Sequence, residues 1–290
     1  MTVTRTVRNL LAIVPSVVLG GCGLIDAPVL NPNGPTALAE RDLMFTAIGL
    51  MLIVVIPVFV LTLWFARRYR ASNKQADYRP DWAYSAKLDA VVWLVPTLII
   101  AALAYLVWTY SHQLDPYRPT GAATAPLKID VVAEDWKWLF IYPDQNIAVV
   151  NDLVLPAGRP VSLRLTSDTV MNAFYIPGLA SQIYAMAGMR TELHLTADHP
   201  DTLTGRNAQY SGRGFADQTF QVHVMTAADF KDWVTVVKRS PRTLDARTYA
   251  ALAKPSKDER ITFYSGVEPK LFSRIIAKYK GEQTASRGKR

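Results

Sequence analysis

Soft and imidazole metal ligands are scarce in this chain of 290 residues, which holds one cysteine and four histidines. Cys22 stands near the N-terminus, and His112, His194, His199 and His223 are scattered over the rest. No pair of them has the spacing of a zinc or copper site. In RTELHL and TFQVHVM, His194 and His223 alternate with polar neighbours, so each belongs to the polar side of a strand. His199 sits in the turn ADHPD, and His112 ends an apolar run. Met171, Met186 and Met189 have no thiolate or histidine beside them and are expected to pack. Nucleophile chemistry is equally thin. Ser211 in YSGRG lacks the G-x-S-x-G strand-to-helix elbow, and neither a Ser-x-x-Lys pair nor a phosphate-cradling GxxxxGK[ST] loop occurs. One carboxylate does stand out: Asp89, in KLDAVVWLVP, opens a long apolar stretch. An acid at a membrane boundary is costly unless it faces water or a cavity, which makes it a functional candidate. A helix N-terminus that favours negative charge, with Lys87 or solvent as its partner, accounts for it as well.

The elements around these residues begin with an N-terminal leader. Residues 1–21 carry Arg5 and Arg8, then LLAIVPSVVLGG, the form of a secretory signal. Leu19-Gly20-Gly21-Cys22 is similar to a bacterial lipobox, in which the cysteine becomes the lipid-modified first residue of the mature chain. An ordinary leader followed by a buried cysteine is the alternative. With a single thiol, no disulfide can form within the chain.

Two runs without charge follow, residues 43–66 and 90–113. Each is long enough, at about 36 Å of helix, to cross a bilayer. The loop at 67–89 contains Arg67, Arg68, Arg70, Lys74, Arg79 and Lys87, whereas residues 22–42 and 114–126 are poor in positive charge. Basic loops stay in the cytoplasm, so the turn of the hairpin lies inside, and both the N-terminus and everything past residue 113 lie outside. Trp64, Trp82, Trp93 and Trp108 near the helix ends suit interfacial anchoring. The formal charge of +8 forms no dense basic patch outside this loop, which argues against nucleic-acid binding.

After a Pro/Gly/Ala linker at 114–126, residues 127–226 alternate in short segments punctuated by Pro156, Gly158, Pro177, Gly178 and Gly188. This patterning predicts a Greek-key β-sandwich of roughly seven to nine strands. In EDWKWLFIY, Trp136, Trp138, Phe140 and Tyr142 recur at every second position and are expected on one face of one strand. Residues 227–280 turn helical: Phe230, Trp233, Val234 and Val237 fall at i, i+3, i+4 and i+7, and Leu271, Ile275, Ile276 and Tyr279 share a face farther on. Such short helices must dock on the sandwich or on another subunit. The tail at 281–290 lacks apolar anchors and is expected to be disordered.

Lipobox, hairpin, aromatic run and the two loops VMNAFYIPGL and GRNAQYSGRGFADQ come in the order found in subunit II of the haem-copper respiratory oxidases, and the chain resembles that family. The resemblance implies a cupredoxin-like sandwich. In copper-bearing members one loop supplies a histidine and the other a Cys-x-Glu-x-Cys-x3-His-x2-Met run, and the two hold a binuclear copper centre. Here those positions are Asn172, then Asn207, Gln209, Ser211, Phe215 and Gln218, so the ligands are gone while the spacing remains. That combination resembles the bo-type ubiquinol oxidases. It implies that this chain binds no metal or other cofactor and has no catalytic residue of its own. Haems, copper and ubiquinol would belong to a partner subunit I that reduces oxygen to water. Subunits III and IV and membrane lipid would be further partners, with no docking of cytochrome c. Asp89 falls where relatives carry a glutamate at the entrance of a proton channel, and Cys22 would be lipidated in the bacterial inner membrane. A cytochrome c oxidase subunit with an altered copper site and a non-enzymatic periplasmic lipoprotein remain as alternatives.

Overall fold

The computed structural model describes residues 27–76, 81–119, 124–257 and 259–287, with side chains of the last helix described as far as Tyr279. The signal segment at 1–21 and Cys22 lie outside the described residues. Two compact units emerge among the described residues, one between 39 and 115 and one made of those before 39 together with those after 115.

The first unit is built from helices α1 (Pro35–Arg68) and α2 (Ala86–Gln113). Both start before the charge-free runs do. Pro35 opens α1 at a position where its missing N–H costs nothing, and the helix-forming run ALAERD carries the turn into the apolar stretch. Ser85 precedes α2 in an extended conformation without capping by its side chain. Arg67 and Arg68 close α1, where cations favour the carbonyl end of the helix dipole. His112 closes α2, donating from Nδ1 to the Trp108 carbonyl at 2.7 Å. Apolar side chains project from all sides: Leu63 is 70% exposed and Trp93 75%. Within these helices of 34 and 28 residues, the charge-free stretches are apolar all round and long enough to cross a bilayer.

The second unit is a sandwich of two sheets. Its strands are β1 (Leu127–Glu134), β2 (Lys137–Tyr142), β3 (Ile147–Val150), β4 (Asp152–Pro156), β5 (Val161–Ser167), β6 (Asn172–Ile176), β7 (Ala180–Ala185), β8 (Thr191–Leu195), β9 (Asp201–Asn207) and β10 (Thr219–Met225). An arm follows, comprising α3 (Ala227–Lys238), α4 (Ala246–Leu252), β11 (Thr262–Tyr264) and α5 (Leu271–Arg287). One sheet runs β11-β3-β2-β1-β5-β8 and the other β4-β10-β9-β6-β7. The chain passes between sheets after β3, β4, β5, β7, β8 and β10, and the crossovers leave β1 parallel to β5 and β4 parallel to β10. Greek-key connectivity is therefore present, as the patterning predicts.

Eleven strands among the described residues exceed the expected seven to nine. The arm contributes β11, which pairs antiparallel with β3. A second addition comes from NIAVVNDLVLP, which breaks at Asn151. That residue adopts φ 57, a left-handed conformation asparagine tolerates, and the break sends β3 and β4 into different sheets. Its side chain holds the corner, with Oδ1 accepting the Trp138 N–H at 2.8 Å and Nδ2 donating to the Glu259 carbonyl at 2.9 Å.

Between the sheets lie Ile129, Val131, Leu163 and Leu165 with the aromatic rings of Trp138, Phe140, Phe174 and Phe220. Phe174 and Phe220 stack at 5.0 Å, and Trp138 meets Phe174 edge-on at 5.2 Å. The expectation of four aromatics on one strand face needs correction. Trp138, Phe140 and Tyr142 do face this core, but Trp136 precedes β2, has φ 67, and turns away in the β1–β2 corner.

The outer face of the six-stranded sheet is buried too. Val132, Leu139, Ile141, Ala148 and Val150 pack against Leu244, Leu252, Tyr264, Leu271, Phe272 and Ile275 of the arm. The arm thus completes a second core, and its amphipathic helices dock on the sandwich of their own chain. Helix α3 begins at Thr226, whose hydroxyl accepts the Asp229 N–H at 3.2 Å, and inserts Phe230 and Val237 into the first core. Helix α5 runs on to Arg287, into the stretch expected to be disordered; a docked first turn lets Lys, Gln and Ala propagate the helix.

Candidate functional site: an amide network at the loop end

Strands β6 and β9 pair so that Phe174 lies opposite Asn207, and this register brings the two loops together. Asn172, Asn207 and Gln218 are 0%, 4% and 1% exposed. Asn207 is the hub. Its Oδ1 accepts two backbone N–H groups, Ala173 at 2.8 Å and Gln209 at 3.0 Å, which sets the amide orientation and aims Nδ2 inward. Nδ2 then lies 2.6 Å from Asn172 Oδ1, 2.8 Å from Gln218 Oε1 and 3.1 Å from Ser211 Oγ. Two hydrogens serve the two shorter contacts. Ser211 is satisfied in the other direction, its hydroxyl donating to Gln218 Oε1 at 2.9 Å. Asn172 Nδ2 donates to the Val170 carbonyl at 2.8 Å, and Gln218 Nε2 reaches the Glu134 carbonyl at 3.4 Å.

Four of the six positions singled out from sequence therefore converge. Gln209 joins only through its backbone, and the half-buried Phe215 turns its ring to Tyr210 at 5.8 Å. Trp136, displaced from the strand, closes the loop from the side. Its indole N–H donates to the Ser211 carbonyl at 3.1 Å, and its ring lies so close to Gly214 that a Cβ there would fall 2.4 Å from it.

This donor set does not fit copper. Every member is neutral, and both lone pairs of Asn207 Oδ1 and of Gln218 Oε1 are occupied within the network. A copper pair that relays electrons requires thiolate and imidazole. Among the described residues no three His, Cys, Asp or Glu side chains gather into a metal-sized group. The histidines stay apart: His223 pairs with Asp152 at 3.3 Å, and His194 lies 3.9 Å from Glu192. Asp89 is in the first turn of α2, exposed, its N–H bonded to the Ser85 carbonyl at 2.9 Å.

A second polar cluster escaped the sequence reading, since residues 134, 168, 249 and 278 are far apart in the chain. On the outer face of the six-stranded sheet, Asp168 accepts Tyr249 Oη at 2.7 Å and Lys278 Nζ at 2.8 Å, while its carbonyl accepts Tyr279 Oη at 2.7 Å. Glu134 lies beside them, 1% exposed. Burial, and then the neighbouring Asp168 charge, push its carboxyl up to about 8. Nearby Lys137 is buried as well, and desolvation lowers its pKa.

Fold and site together define a two-helix membrane protein bearing a Greek-key sandwich whose converging loops carry a neutral amide network. A family model described as the COX Aromatic Rich Motif matches residues 238–283, which cover most of the arm. The cytochrome bo(3) ubiquinol oxidase subunit 2 of Pseudomonas aeruginosa is 50% identical over 269 residues, 93% of this chain and 80% of that one. Its counterpart in Pseudomonas putida is 51% identical over 91% of this chain and 83% of that one, and the ubiquinol oxidase subunit 2 of Acetobacter aceti is 47% identical over 91% and 85%. Among solved structures, the periplasmic domain of subunit II of cytochrome oxidase from Bradyrhizobium japonicum is 22% identical, covering 39% of this chain and 94% of that one with a TM-score of 0.38. The chain belongs to the ubiquinol oxidase subunit 2 family.

Proposed function

We propose that this chain is the second subunit of a proton-translocating terminal oxidase that takes electrons from ubiquinol and passes them to oxygen, and that it acts without a redox centre of its own. The observation that carries this reading is the closed Asn172–Asn207–Ser211–Gln218 network, which spends on internal hydrogen bonds the positions a copper relay would need. An oxidase fed by quinol within the membrane has no use for such a relay. On this reading subunit I holds the haems, the oxygen-reducing copper and the quinol site, and subunits III and IV complete the assembly. The sandwich lies on the periplasmic side of the inner membrane, anchored by α1, α2 and a lipid on Cys22, and offers no docking site for cytochrome c. Asp89, at the cytoplasmic start of α2, supplies a carboxylate for proton entry.

The test is purification through a tag on this chain in mild detergent, followed by visible spectroscopy, copper analysis and oxygen uptake. Haem-bearing partners and uptake driven by a reduced quinol are expected. Oxidation of cytochrome c together with about two coppers assigned to this chain would overturn the proposal. Purification without any haem protein would favour a lipoprotein that works alone.

A further inference from the structure

Glu134 ends β1 on the sheet face that the arm covers, and four charged or hydroxyl groups surround its carboxyl. Asp168 and Lys137 come from the sandwich, and Tyr249 of α4 and Lys278 of α5 come from the arm. Asp135 and Glu259 face Lys137. The direction of the hydrogen bonds in this cluster is determined by the number of hydrogens. Tyr249 has one hydroxyl hydrogen and donates it to Asp168 Oδ2 at 2.7 Å. The same hydroxyl also neighbours Glu134 and favours its charged form, but its one hydrogen lies toward Asp168. Lys278 is spent on Asp168 at 2.8 Å. Lys137 turns its ammonium to the Lys254 carbonyl at 2.8 Å and to Ser256 Oγ. Glu134 Oε1 is buried without a hydrogen-bond partner among the described residues. An ionised Glu134 would therefore set a second buried negative charge beside Asp168, competing for the one Tyr249 hydrogen that Asp168 already holds. A protonated Glu134 leaves the group of Glu134, Tyr249, Asp168 and Lys278 with one negative and one positive charge, those of Asp168 and Lys278.

We propose that Glu134 is a proton-binding site coupled to the arm: its carboxyl holds a proton while α4 and α5 are docked and releases that proton to water when they lift. Nothing in this proposal depends on the redox partner of the complex or on Asp89. The coupling has a definite sign. The carboxyl ordinarily ionises near 4.5 and is pushed up to about 8 when docked, so docking takes up a proton between those values. Stability from this group is complete in acid, declines about tenfold in the docking constant per pH unit from roughly pH 5 to 8, and changes no further above that.

Hydrogen exchange on the full-length chain in detergent tests the coupling. The opening equilibria of amides in β11 and α5, corrected for the intrinsic rate at each pH, are expected to rise about tenfold per unit between pH 6 and 8 in the wild type. In Glu134→Gln they are expected to stay flat, near the wild type's acid value. A flat wild-type profile overturns the proposal. So does a slope that persists in Glu134→Gln, which would transfer the effect to Asp130, a buried carboxyl raised by desolvation despite its pairing with Arg164. Should the glutamine variant fail to fold, infrared titration of the wild type decides. A protonated-carboxyl band that fades with a midpoint near pH 8 supports the site, and its absence at pH 6 overturns it.

Discussion

Asn207 shows why an amide in this network is not interchangeable with its isosteric acid. Both oxygens of an aspartate at 207 can only accept, yet the position now held by Nδ2 faces Asn172 Oδ1 at 2.6 Å and Gln218 Oε1 at 2.8 Å. Asn207→Ala strands those acceptors and should cost about 2 kcal/mol; Asn207→Asp adds a buried charge and should cost about 4 kcal/mol at neutral pH. Burial would raise that carboxyl above its unfolded value near 4, so the deficit relative to wild type should shrink in acid and grow as the pH rises. Thermal melts of both variants at pH 5 and pH 8 measure this, and a deficit independent of pH would refute the buried-charge argument. At the other end of the chain, Asp89→Asn should slow quinol-driven oxygen uptake severalfold while leaving co-purified haem unchanged. Unaltered uptake would remove Asp89 from proton entry and leave it as a favourable acid at the start of α2. Amide identities and the missing thiolates are evident from the sequence, but the hydrogen-bond directions are not, because they depend on which backbone N–H groups reach Asn207 Oδ1.

Elements bring these side chains together through two devices of the backbone. Left-handed residues at Trp136, in the β1–β2 corner, and at Asn151, just after β3, turn the chain, and neither has a glycine to announce it. Strict alternation therefore placed Trp136 with Trp138 on one strand face, when tertiary packing instead seats its ring against Gly212 and Gly214. Gly214→Ala would drive a methyl into that ring. Overpacking of this kind should destabilise the loop by about 2 kcal/mol and shift the emission of Trp136, with Trp136→Phe identifying the signal. An unchanged melting temperature and spectrum would mean the loop yields freely. The arm is a different case. Its i, i+3, i+4 periodicity is legible, and docking follows from the apolar stripe, but the choice of the sheet's outer face is not. Phe272→Ala should loosen the arm by about 3 kcal/mol, read as increased exchange in α5 and β11, with protection of β6 and β9 unchanged.

At the scale of the whole chain, charge and hydropathy divide the work between membrane and water. Six basic residues between the two apolar runs predict a cytoplasmic turn. A cysteine at the exposed loop residue Ser72 should react with a membrane-impermeant thiol reagent only in inverted vesicles, and one at the exposed Asp144 only in intact spheroplasts. The opposite pattern would invert the topology and place Asp89 on the wrong side for proton entry. Unmodified protein should remain unlabelled in both if Cys22 carries lipid.

Span number, sandwich class and the absence of thiolate ligands follow from sequence alone, because hydropathy, alternation and residue type are local properties that need no knowledge of partners. The corner at Asn151, the closure by Trp136, the second core under the arm and the chain of groups around Glu134 were decided only by tertiary structure. Each depends on residues tens of positions apart meeting in space. Whether a buried acid there keeps its proton is set by which hydrogens its neighbours have already given away.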